Sequence, residues 1–321
     1  MIRNTFKITT VQFFFLLTIL YSTLGKLDEI FLRRTSTRTD LIELSMAIWS
    51  GFFSCRSYCT SKCTQEPDCV SLLYNMADGS CDLFNVIYDS ANGGDVDYYW
   101  VLEDGGTRWV PDSCFAVSNC SGITTDGEYW VYPTVTNRKR TKIYCHNLPT
   151  EPSHFISLPK TCVFIHHDRT NWIIWMRECQ SSFTPPLKQA DFLKVKIQIE
   201  NMIVNETDYT FTSKGSSQRK FGKIKDCNGR HFINPCPHFS KATIDTSGTG
   251  LIIDPRMEFG RLPGSTHTAV QYFDRSALGD QISFTCAGWC GSCGPISGPI
   301  RFQHSTEFIS AADAEAIICH K

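Results

Sequence analysis

The segment "FTCAGWCGSCGP" sets Cys286, Cys290 and Cys293 at C-x3-C-x2-C spacing. Thiols this crowded do one of two things: as thiolates they hold a metal such as zinc, or they oxidise in pairs. A catalytic zinc helix has a set pattern, H-E-x-x-H, with two histidines on one face and the Glu as general base. None of the nine histidines here is followed by Glu, and no two are four residues apart. "IHHDRTNW" groups His166, His167 and Asp168, but adjacent strand residues point to opposite faces, so only His166 and Asp168 could converge. Spacing suggests no third ligand, and the stretch reads as a polar loop end. "GSCGP" and "GSTH" are not nucleophile elbows, and no Gly-rich phosphate loop occurs. The expectation is therefore no catalytic residue, no metal site and no cofactor.

Compartment decides between metal and disulfide. The opening "MIRNTFKITTVQFFFLLTILYSTLG" has Arg3 and Lys7, an apolar run from Val11 to Tyr21, and small residues after it. That is the layout of a cleaved signal peptide over residues 1–25. No later stretch reaches the ~18 apolar residues of a spanning helix, so a secreted, extracellular protein without a membrane span is expected. All 16 cysteines follow the signal, and an even number in an exported chain reads as a disulfide framework. The cysteine cluster is then a staple whose turn-rich sequence can wind tightly to reach partners elsewhere. Two sequons, at Asn119 and Asn205, suit glycosylation in that compartment. The formal charge is −1, or about −3 without Arg3 and Lys7, too small for a nucleic-acid partner.

The elements that must position these residues fall into two modules. The expected division is 26–103, a turn-rich linker at 104–112, a second module at 113–303 and a tail at 304–321. In the first, Cys55, Cys59 and Cys63 recur every four residues, on one face of a helix. Asp68 to Tyr74 reads as a strand, Asp78-Gly79 as a turn, and a second strand runs through Cys81, Leu83 and Val86. This order, with C-x3-C-x5-C-x11-C spacing, resembles the PAN/apple domain. The resemblance implies a small α+β adhesion or recognition module with the pairs Cys59–Cys81 and Cys63–Cys69.

In the second module, Asp126-Gly127 leads into a strand at Glu128–Tyr132 and Thr141–Cys145 returns, a hairpin whose ends Cys114 and Cys145 could bridge. "DFLKVKIQIENMIVNETDYTFT" alternates as two strands about a short connection. Gly and Pro punctuate the rest, so a mainly β domain is expected. The ordered blocks "DGEYWVYP", "KIYCHN", "DFLKVKIQI", "FGKIKDCNGRHFINPCP", "ATIDTSGTGLIID" and "FTCAGWCGSCGPISGPIRF", with Cys227, Cys236, Cys286, Cys290 and Cys293, resemble the GON domain. That module closes the C-terminus of certain secreted zinc metalloproteases of the ADAMTS family, whose catalysis lies in a separate domain. Cys120, Cys319 and the tail after Gln303 depart from the pattern. The fold class expected is thus disulfide-rich and mainly β, a PAN/apple-like unit followed by a GON-like one.

Parity adds a constraint. The first module holds five cysteines and the second eleven. If all are oxidised, an odd number of bridges crosses between them, the only escape being intermolecular pairing or free thiols; the expectation is Cys55 with Cys319 or Cys120, and the alternative is a disulfide-linked dimer through Cys55. Two basic stretches, Arg138, Lys139, Arg140, Lys142 and Arg219, Lys220, Lys223, Lys225, could form a patch for sulfated glycosaminoglycans or other acidic matrix. They also suit a solvated hairpin tip and strand edge. The leading expectation is a non-catalytic recognition protein binding matrix glycans or proteins. A metalloprotease ancillary component, with zinc entering only through that association, is the second reading. A fibrinogen-like lectin is the third, because "DGEYWVYP" and "KIYCHN" echo that fold's opening hairpin.

Overall fold

The computed structural model describes residues 31–37, 42–88, 96–103, 106–167, 187–213, 220–226, 240–263, 268–288, 291–305 and 313–320. Residues 1–25, where a signal peptide is expected, and Asp168, Arg219, Cys227, Cys236 and Cys290 lie outside them. The fold is mainly β, with two α-helices and five disulfides among the described residues.

Strands β1 (Phe31–Thr37), β2 (Trp49–Phe52), β3 (Ser71–Tyr74), β4 (Ser80–Phe84) and β5 (Val96–Glu103) make an antiparallel sheet in the order β1-β5-β3-β4-β2. Helix α1 (Arg56–Gln65) crosses it. "RSYCTSKCTQ" has almost no apolar stripe: only Cys59 and Cys63 are buried. The helix is held by sulfur, through Cys59–Cys81 to β4 and Cys63–Cys69 to the chain entering β3. A unit this small buries too little apolar surface to do without such staples.

Next come β6 (Arg108–Trp109), α2 (Cys114–Ser121), β7 (Gly127–Val131), β8 (Thr141–His146) and β9 (Ser153–His167). They are followed by β10 (Leu187–Gln198), β11 (Ile203–Val204), β12 (Thr212–Ser213), β13 (Ile224–Asp226), β14 (Ser240–Asp245) and β15 (Leu251–Ile253). The last are β16 (Phe259–Arg261), β17 (Thr268–Arg275), β18 (Gln281–Gly288), β19 (Gly291–Pro295), β20 (Phe302–His304) and β21 (Cys319–His320). The long β9 is the spine, pairing β8, β10 and β14 antiparallel and β13 in parallel. The path β16-β19-β13-β9-β14-β18-β17 curls, so that Phe259 near one end meets Phe273 at the other, ring centroids 5.4 Å apart. The hairpin β7–β8 packs on α2, and Cys114, which lies in that helix rather than on a strand, is joined to Cys145.

The two units share structure across residues 104–112. Buried Arg108 donates to Cys63 O (3.3 Å), Thr64 O (2.8 Å) and Glu66 O (2.7 Å), the carbonyls orphaned at the C-terminal end of α1. Val70, Phe84, Tyr88 and Tyr99 form one apolar cluster with Val110, Trp130 and Tyr132. The C-terminal β21 pairs with β6, which brings Cys319 onto α2.

That geometry overturns the parity argument. Cys120 and Cys319 are bonded to each other, and Cys55 and Cys162 are both free thiols. Its premise that every thiol is oxidised fails, because Cys162 sits inside the sheet with its sulfur against the Asp245 amide at 3.3 Å. Cys55 is exposed at the N-terminal end of α1, away from the β6–β21 pair that joins the units. The C-terminal cluster is corrected too. Cys286 does not reach a distant partner but pairs with Cys293, clasping β18 to the adjacent β19.

Candidate functional site

Strand β8 alternates buried and half-buried residues throughout "TKIYCH". Thr141, Ile143 and Cys145 turn to the core, so Lys142, Tyr144 and His146 stand on the other face. Register lines up the neighbours on that face: Glu128 opposite Tyr144, Tyr144 opposite Phe155, and Lys194 opposite Ser157. Phe211, from the turn before β12, closes over them, its ring edge-to-face with Tyr144 (5.5 Å), His146 (5.2 Å) and Phe155 (4.9 Å).

Polar groups thread between the rings. Lys194 Nζ donates to Ser157 Oγ and to Glu128 Oε1 (3.2 Å), while Ser157 Oγ donates to Glu128. The same ammonium lies 4.1 Å above the Tyr144 ring. Glu128 Oε2 is buried and has no hydrogen-bond partner among the described residues. Lys194, a donor to both neighbours, has no lone pair for the Ser157 proton, which points instead to the Glu128 carboxylate. Beside it, His146 Nδ1 lies 2.6 Å from Asp126 Oδ2. Burial pushes the Asp126 carboxyl up, but the amides of Asn147 and Leu148 and the His146 ring together hold it below its ordinary value.

Ser157 also opens onto a cleft of about 260 Å³. Between Ser157 and Cys162 the long strand bulges, with Leu193 alone on β10 facing Leu158, Pro159, Lys160 and Thr161. Leu158 and Pro159 make one wall, and Ser247, Gly248 and Thr249, the turn between β14 and β15, make the other. Gly248 sits at φ +76°, a left-handed conformation that suits glycine. Ile156 and Lys142 complete the lining. Ser157, Ser247 and Thr249 donate their hydroxyl protons to Glu128, Asp245 Oδ1 and Thr246 O, so Lys142 is the side chain of this lining that can meet an anionic group.

The basic stretches fare differently. Asn137 (φ 55°) and Arg138 (φ 58°) form the tight tip before β8. The Arg140 guanidinium stacks 4.4 Å over Trp130 and 5.0 Å over Tyr88, where it joins the two units. Lys139 stands at the tip, and Lys142 reaches the cleft. In the second stretch, Lys220 and Lys223 both donate to Glu206 Oε1 at 2.7 Å, and Lys225 is on β13. Burial raises the Glu206 carboxyl, yet the two lysines hold it below its ordinary value. Of the sequons, Asn119 is an exposed residue of α2 and Asn205 an exposed loop residue after β11.

Among the described residues no three His, Cys, Asp or Glu side chains group as ligands for a metal ion, and no described helix is long and apolar enough to cross a membrane. The cleft was not anticipated in the sequence. Alternation in "TKIYCH" is the signal that could have placed Lys142 and Tyr144 together; nothing local links them to Ser247 and Thr249.

A comparison with protein-family models matches residues 111–300 to the GON domain. No curated protein and no solved structure matches the chain.

Proposed function

The chain belongs to the GON domain family, and from that premise we propose that it is a secreted, non-catalytic recognition protein that binds acidic matrix glycans or matrix proteins. The family is an ancillary, extracellular one, and a disulfide framework suits an oxidising compartment. The observation that carries the reading is the cleft lined by Lys142, the last residue of the first basic stretch, which stands on β8. A sulfate or carboxylate would meet the Lys142 ammonium there. The aromatic face of Tyr144 and Phe211 extends the same strands. Residues 26–103 serve in this proposal as a PAN-like recognition module fixed against the first turn of the family domain.

The exposed thiol of Cys55 is the group through which a covalent partner would join, and non-reducing electrophoresis reads that as a doubled or increased mass. A second reading, favoured by the family alone, is an ancillary component acting beside a metalloprotease in trans; co-purification with a zinc-dependent protease activity would support it. The first reading is tested on an array of sulfated, carboxylated and neutral glycans. Binding confined to acidic glycans and cut at least fivefold by Lys142→Ala supports it; equal binding to neutral glycans, or no effect of the substitution, contradicts it.

A further inference from the structure

Asn119-Cys120-Ser121 and Asn205-Glu206-Thr207 satisfy the same acceptor rule, yet the fold treats them differently. Asn205 Oδ1 accepts hydrogen bonds from the Thr207 hydroxyl at 2.9 Å and from the Thr207 amide at 3.2 Å. The Asp208 amide closes the turn onto Asn205 O at 3.2 Å. All three contacts are within four residues, so a nascent chain can form this turn before distant segments arrive. The side-chain oxygen is committed inward, and the residue is exposed. The acceptor amide and the hydroxyl of its own sequon thus stand side by side on an exposed turn.

Asn119 has the opposite setting. It lies inside α2, which Ser113 caps by accepting from the Ala116 amide at 3.2 Å. Residues two apart on a helix do not face each other, so helical geometry separates positions 119 and 121. The helix is set by contacts nearer in sequence, the Ser113 cap and Ser118 donating to Leu148 O at 3.0 Å.

We propose that Asn205 carries an N-linked glycan and that Asn119 does not. In the step itself, Asn205 Nδ2 attacks the anomeric carbon of a lipid-pyrophosphate-linked oligosaccharide. The new C–N bond forms as the C–O bond to pyrophosphate breaks; the amide loses one proton and the lipid pyrophosphate leaves. The glycan would stand beside Glu206 and the lysines that clasp it, Lys220 and Lys223, screening that basic stretch from acidic ligands. Only the first stretch and its cleft then stay open. This inference does not depend on what the cleft binds.

The test is glycopeptide mapping of the full chain secreted from a eukaryotic host, with enzymatic glycan release in heavy-oxygen water to tag the used asparagine. The expected result is full tagging of Asn205 with Asn119 unmodified. Asn205→Gln and Thr207→Ala should each remove one glycan mass, Thr207→Ser should retain it, and Asn119→Gln should change nothing. Should any variant fail to fold, mapping of the unaltered chain still decides. A glycan on Asn119, on both sites or on neither overturns the proposal.

Discussion

Cys55 and Cys162 carry the same thiol in opposite surroundings. The Ser57 hydroxyl, 3.3 Å from the sulfur, leads the contacts that lower the pKa of Cys55 at the exposed start of α1. Burial pushes Cys162 up to about 12. Thiolate is the reactive form, so iodoacetamide at pH 8 should modify Cys55 within minutes and Cys162 only after unfolding. Peptide mapping of the alkylated protein checks this; equal labelling of the two would contradict the placement of Cys162. His304 supplies a second prediction at this scale. Burial, with Lys139 adding repulsion, lowers its pKa from 6.5 to about 3. The unfolded chain takes up that proton near pH 6.5 and the folded chain only near 3. The stability from the neutral ring is therefore complete above pH 6.5 and lost as pH falls toward 3, by up to about 1.4 kcal/mol per pH unit. Urea unfolding at pH 7 and pH 5 should show this loss, and His304→Gln should reduce it.

Among the elements, α1 is the one with least support of its own. Its sequence supplies the cysteine spacing but no apolar stripe, and Arg108 answers three carbonyls near its end. Replacing Arg108 with Ala would leave buried acceptors unsatisfied and should cost about 3 kcal/mol, read as a lower urea midpoint. Arg108→Lys should recover only part, since one ammonium cannot span the set. Strands were more legible than this contact. The return strand at Thr141–Cys145 corresponds to β8, and Asp126-Gly127 marks the entry to β7. The cleft was not legible, because it needs a bulge at 158–161 to meet a turn at 247–249, far apart in sequence. Nor did the Gly-rich, Pro-containing stretch at 104–112 disclose a buried arginine, since composition reports turn propensity and not what a turn packs against.

For the whole molecule, disulfides and shared apolar packing join parts that sequence reading kept separate. The resemblance carried by ordered blocks proved the more durable kind of evidence: it identified the family over residues 111–300, whereas counting cysteines gave the wrong partner for Cys120 and Cys319. Those two close a loop with a sequence separation of 199. In the chain-entropy account such a bridge stabilises by about 5 kcal/mol. Cys120→Ser with Cys319→Ser should therefore lower the unfolding midpoint markedly, and no change would mean that β6 and β21 hold the terminus without sulfur.

Elution of the secreted chain from immobilised heparin in a salt gradient addresses recognition most directly. The account predicts retention at physiological salt, earlier elution for Lys139→Ala with Lys142→Ala, and near-normal elution for Lys220→Ala with Lys223→Ala. Passage of the unaltered protein without delay, or equal loss in both double variants, would contradict it.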